Sequence, residues 1–102
     1  MKIHPAERAA RPSLQTDDVL YVVRGVEFVK IGFTNDLARR VSELQVGSPH
    51  ELEVLLAIPG SLEDEAWVHE KFRAWRVRGE WFAFTGALVD WVEAARHTRS
   101  VR

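Results

Sequence analysis

The sequence predicts a small α/β domain of the α+β kind, with a three-stranded, mainly antiparallel sheet and flanking helices. Three observations lead there. Residues 20–24 and 28–33 are two β-rich runs joined by the short Arg-Gly-Val-Glu link of a hairpin. Residues 52–58 (LEVLLAI), closed by Pro59-Gly60, form a third such run. Three further stretches repeat their apolar residues with a helical period.

Residues 1–17 carry Pro5 and Pro12 without a clear period and are expected to be a flexible arm. Residues 18–96 make the domain, and 97–102 a basic tail. In the hairpin, Gly25-Val26 matches a two-residue type II′ loop, which has Gly first. Counting outward, Tyr21 then faces Lys30 and Val22 faces Val29. Side chains alternate along a strand. One face therefore carries Leu20, Val22, Val29, Ile31 and Phe33. The other carries Tyr21, Val23, Phe28, Lys30 and Gly32, with a phenol beside an ammonium.

The first helix is capped by Thr34 or Asn35, with Asp36 in its first turn, where the helix dipole favours an anion. Leu37, Val41 and Leu44 form its apolar stripe. Arg40 borders that stripe and Arg39 points to solvent. Gly47-Ser48-Pro49 ends the helix. After the third strand, Ser61 and Asp64 make a variant capping box, and the helix is expected to run to about residue 75. At about 100° per residue, Leu62, Ala66, Val68, His69 and Phe72 share its buried side, and Glu65 falls among them. Glu63, Asp64 and Glu70 fall on the water side. A loop at Arg78-Gly79-Glu80 leads into Trp81-Phe82-Ala83-Phe84, an optional further strand. Thr85 then caps a last helix to about residue 95, with Leu88, Trp91, Val92 and Ala95 inward.

At 102 residues the chain is one small domain, and 46% hydrophobic residues suffice for a modest core. No run is long enough to span a membrane and no signal-peptide pattern is present, so a cytoplasmic protein is expected. There are no cysteines, which excludes disulfides and thiolate metal sites. The formal net charge of −1 disfavours strong non-specific DNA binding. Distribution offsets this. Lys71, Arg73, Arg76 and Arg78 are four cations within eight residues, interleaved with Phe72 and Trp75. Such interleaving suits phosphate contact and base stacking. A solvated helix end whose cations complement the dipole is the alternative. Oligomeric state is not legible.

The stretch Val19 to Phe82 resembles the GIY-YIG nuclease superfamily, in the phage-associated branch with a KIG-type second motif. Leu20-Tyr21-Val22 stands at the first motif and Lys30-Ile31-Gly32 at the second. Arg40 follows Gly32 by eight residues, at the place of the helix arginine. The Gly-Glu-Trp-Phe string after the second helix is similar too. The second motif carries Lys30 instead of a tyrosine, and Tyr21 is the only tyrosine. Many members use a late asparagine; Asn35 is the only asparagine here.

The resemblance implies a metal-dependent DNA endonuclease that hydrolyses phosphodiesters with Mg²⁺ or Mn²⁺. Glu65 corresponds to the metal-binding glutamate. Tyr21 activates water or holds the scissile phosphate, helped by Lys30 if that cation lowers the phenol's pKa. Arg40 neutralises phosphate charge, and His69 shuttles a proton or donates to phosphate. Arg39, Lys71, Arg73, Arg76 and Arg78 are the candidate DNA contacts. The plain structural readings are a cross-strand Tyr21–Lys30 pair, a Glu65–Arg40 ion pair, a hydrogen-bonded His69, and a Glu80 that caps a loop, where the alternative is that it lines the site. Two rival functions follow. One is a binding module on the same fold with little or no cleavage. The other is a protein-interaction domain docking through exposed Trp67 and Trp75.

Overall fold

The computed structural model describes residues 18–100, so the arm expected over 1–17 lies outside the described residues. The elements run β1 (Val19–Gly25), β2 (Phe28–Thr34), α1 (Leu37–Val46), β3 (Glu53–Pro59) and α2 (Leu62–Lys71). A 3-10 turn (Arg73–Trp75), β4 (Arg76–Arg78), β5 (Trp81–Ala83) and α3 (Gly86–Ser100) follow. The fold is α+β, with an antiparallel sheet of five strands in the order β3-β1-β2-β5-β4. The expected three strands were too few. β4 and β5 are three residues each, too short for an alternating pattern to stand out. Similarly, the expected second helix ends at Lys71, and the cationic stretch after it turns back into β4. The last helix extends past 95 to Ser100.

The hairpin register differs from the expected one by two residues. Gly25 pairs with Phe28, Val23 with Lys30 and Tyr21 with Gly32, so the loop is Val26-Glu27. Gly25 is the last residue of β1, and the close approach of Leu52 there suits glycine, since a Cβ would meet Leu52 Cδ2 at 3.2 Å. Val26 takes the left-handed conformation instead, at φ +61°, and its carbonyl accepts from Arg24 Nε at 2.6 Å. A slip of one residue would turn every side chain over; a slip of two keeps each on its face. Tyr21 and Lys30 therefore do share a face, as diagonal neighbours rather than opposite ones.

Leu20, Val22, Val29, Ile31 and Phe82 are fully buried, together with Val68, Phe72, Leu88 and Val92 of the helices. α2 lies against β2 and α3 against β3. Each such side chain contributes about 1.5–3 kcal/mol. α1 is capped by Asp36, whose carboxylate accepts from Arg39 N at 3.1 Å, not by Thr34 or Asn35. Thr34 Oγ1 instead accepts from Asp36 N.

In α2 the buried side is rotated from the expected one. Leu62 is 63% exposed, and Asp64, expected to face water, is 3% exposed. The capping box causes this. Asp64 Oδ2 accepts from Ser61 N at 2.9 Å and from Ser61 Oγ, while Ser61 Oγ accepts from Asp64 N. The inner stripe is Asp64, Val68 and Phe72, and Glu65 and His69 share its half-buried flank. Trp67 and Trp75 are partly buried against the core rather than exposed.

Candidate active site

The site forms where β5 stops and the edge of β2 opens. Tyr21 projects from β1 onto the ring-sized gap left by Gly32. A Cβ on Gly32 would lie 2.5 Å from Tyr21 Cζ and closer still to the hydroxyl. The missing side chain of the second motif is thus the seat of the tyrosine of the first. Burial raises the Tyr21 pKa to about 12, with Glu80 and Glu65 adding to the rise and Arg40 opposing it. The expectation that Lys30 lowers it does not hold. Lys30 is occupied by Glu80, and Tyr21 is a neutral hydrogen-bond donor at physiological pH.

Lys30 projects from β2 on the same face. Its side chain is only 14% exposed, and Nζ lies 3.0 Å from Glu80 Oε1. It also stands 5.8 Å from the centroid of the Trp81 ring, which follows from the pairing of Lys30 with Trp81. Glu80 occupies the turn between β4 and β5, and its carbonyl accepts from Ile31 N at 3.1 Å. Backbone and side chain of Glu80 thus bind two consecutive residues of β2.

From the flank of α2, the Glu65 carboxyl group comes near enough to that of Glu80 for the two to interact. Burial raises the Glu65 pKa first and the neighbouring Glu80 charge second, while His69 and Lys30 pull it down. The neighbouring Glu80 charge thus adds to burial in favouring the protonated form of Glu65. One turn on, His69 Nε2–H donates to the Ile31 carbonyl at 2.7 Å. Its ring stands edge-on to Phe82, with centroids 5.0 Å apart. Nδ1 is left as the ring nitrogen able to take a proton.

Arg40 is half-exposed on α1 and pairs with Glu43 at 3.9 Å, not with Glu65. It acts on the site through its field at Tyr21. The remaining cations lie apart. Arg39 pairs with Asp36 at 3.8 Å and Arg73 with Glu70 at 3.4 Å. Lys71 lies over Trp67 and Phe72. Arg76 Nε donates to Gly79 O at 2.6 Å. Arg78 pairs with Trp81 in the sheet.

Glu80 is the site residue that sequence reasoning underrated. Of the two readings, capping a loop or lining the site, the first is the one sequence favours; Glu80 lies in a turn and also stands beside Lys30 and Glu65. The available signal was its place in Gly-Glu-Trp-Phe, directly before a residue that pairs with Lys30.

The fold and this cluster define a small antiparallel α+β domain with one mixed-charge site on its sheet. The chain belongs to the T5orf172 domain family, which matches residues 18–99. That family is phage-associated and nuclease-related. No curated protein and no solved structure matches the chain. Among the described residues no helix is long and apolar enough to cross a membrane.

Proposed function

We propose that the chain is a DNA endonuclease of GIY-YIG type that hydrolyses a phosphodiester with Mg²⁺ or Mn²⁺. The observation that carries this reading is the Glu65–Glu80 carboxyl pair, held beside Lys30 and His69 and within the field of Tyr21. The donor set fits a divalent ion, because two neighbouring carboxyl groups offer the hard oxygen ligands such an ion takes. Among the described residues no three His, Cys, Asp or Glu side chains could hold a metal together. Phosphate and water oxygens would complete the shell of such an ion, a common arrangement for Mg²⁺. When bound, the ion supplies Lewis-acid polarisation of the phosphate and a more acidic water.

The chain's own residues divide the remaining work. Tyr21, a neutral phenol, donates a hydrogen bond to a non-bridging phosphate oxygen and does not act as the base. Arg40 neutralises charge there through its fork of donors, and Lys30 does so as a nearby point charge. His69, oriented by the Ile31 carbonyl, takes the proton of the attacking water at Nδ1. Arg39, Arg76 and Arg78 stand outward to meet flanking phosphates.

Glu65→Gln tests the reading. Cleavage of a labelled duplex is followed across a Mg²⁺ titration, with EDTA as control, beside the melting temperature and DNA affinity of both proteins. The expected result is loss of cleavage with fold and binding retained, and a melting temperature equal to or slightly above wild type. Wild-type turnover in the variant overturns the assignment of Glu65. Binding without cleavage in the wild type returns the domain to a binding module.

A further inference from the structure

We propose that a recess at the outer end of the sheet holds an unpaired nucleobase of the strand whose phosphate occupies the site; this rests on the nucleic-acid reading above. The recess has a volume of about 310 Å³ and is lined by Gly25, Phe28, Val77, Arg78 and Trp81. That is the small end of the range for ligand pockets. Two of its walls are aromatic rings, and such faces accept any base because every base has a π-face.

Sheet pairing explains why these side chains meet. Gly25 pairs with Phe28, Lys30 with Trp81, and Trp81 with Arg78. A register shift between Arg76 and Arg78 brings Val77 into the wall beside Arg78. Gly25 keeps the floor open. A Cβ there would meet the Trp81 ring at 3.7 Å as well as Leu52.

Two features select a nucleotide over an apolar ligand or a peptide. First, the recess continues directly into the site, because Trp81 is both its wall and the ring beneath Lys30 Nζ at 5.8 Å. Neighbouring strands are about 4.8 Å apart. A base against Trp81 therefore leaves its own phosphate within reach of Lys30. Second, the one charged wall is the exposed Arg78, which complements a phosphate or stacks on a base. Tyr21, Lys30, Trp81 and Arg78 then form a row of phenol, ammonium, indole and guanidinium across β1, β2, β5 and β4. A base inside a duplex has both faces covered, so the occupant is single-stranded or extruded.

The test measures binding in EDTA, without cleavage. Affinity for a short oligothymidylate is compared with that for an abasic strand of equal length. Wild type is expected to prefer the base-bearing strand by roughly 5- to 100-fold, the range of one base–aromatic stack. Trp81→Ala should erase the preference while leaving the slope of log affinity against log salt unchanged. Arg78→Ala should lower that slope by about 0.7 for one lost single-strand phosphate contact. Val77→Glu is the second variant, at a residue 57% exposed and so safe for folding. It places a carboxylate in the wall and should also erase the preference. Equal binding of both strands by wild type, or a preference that survives Val77→Glu, overturns the subsite. Base preference in a protein that never cleaves supports the subsite and removes the nuclease reading alone. Cleavage without base preference does the reverse.

Discussion

Gly32→Ala should be among the most damaging single-methyl additions in the sheet. The added Cβ would lie 2.5 Å from Tyr21 Cζ, short of ordinary contact by nearly an ångström. Tyr21 is 1% exposed, so its ring is closely surrounded. Overpacking of this kind costs about 1–3 kcal/mol, and the depth of the overlap places Gly32→Ala at about 2–3 kcal/mol. In a domain of this size that lowers the melting temperature by roughly 10–20 °C. The decisive measurement is a double-mutant cycle by thermal and urea unfolding. In a Tyr21→Val background the clash is gone. Alanine at 32 then restricts the unfolded chain and is neutral or stabilising, by up to about 1 kcal/mol. The sign of the substitution reverses, with a coupling of about 2–3 kcal/mol. An equal loss in both backgrounds would refute the seating of the ring on Gly32, and with it the placement of the phenol in the site.

Three further outcomes are expected. The single tyrosine makes its titration easy to read, and tyrosinate absorbance should rise around pH 12 instead of 10. The folded value lies above the unfolded one, so the stability linked to this proton is complete below pH 10 and is lost as pH climbs towards 12; a midpoint at 10 would contradict its burial. Val26→Gly relieves a β-branched residue held at φ +61° and should raise stability by about 0.5–1 kcal/mol in urea unfolding, with no gain counting against the strained turn. Glu80→Gln breaks the ion pair to Lys30 at a cost of at most about 1 kcal/mol. It also moves the Glu65 carboxyl part of the way back towards its ordinary range. Because the folded Glu65 value is raised, its contribution to stability is present in acid and lost as pH rises through that value. The variant should flatten this acid-side dependence, and superimposable melting profiles from the two proteins would exclude the carboxyl contact.

The hairpin, the Ser61 cap and the third strand were legible because each rests on a local rule. Alternation placed Tyr21 and Lys30 on one face, and even a wrong loop assignment preserved that, since the error was two residues. What local rules could not supply is where competing uses of one residue type are settled. Gly25 looked like a turn glycine but serves close packing against Leu52 and Trp81. Asp64 looked solvent-facing by helical phase, yet its hydrogen bonds to Ser61 bury it. Glu80 does lie in a loop, but β4 and β5 are too short to show where that loop sits, and only strand pairing reveals its nearness to Lys30. Lys30 itself looked free to tune a phenol until that pairing gave it another partner.

The order in which the site's members occur along the chain has a kinetic meaning. Tyr21 and Lys30 are made early, Glu65 and His69 later, and Glu80 last. The bond from His69 to Ile31 spans 38 residues, and the Lys30–Glu80 pair spans more. Ribosomes add about 5–20 residues per second, so a growing chain carries its phenol and ammonium for seconds before either acid of the pair exists. Until the β4–β5 ribbon docks along β2, the carboxyl groups have nothing to hold them together. In a nascent chain the proposed site is therefore incomplete until the last ribbon of the sheet has been synthesised.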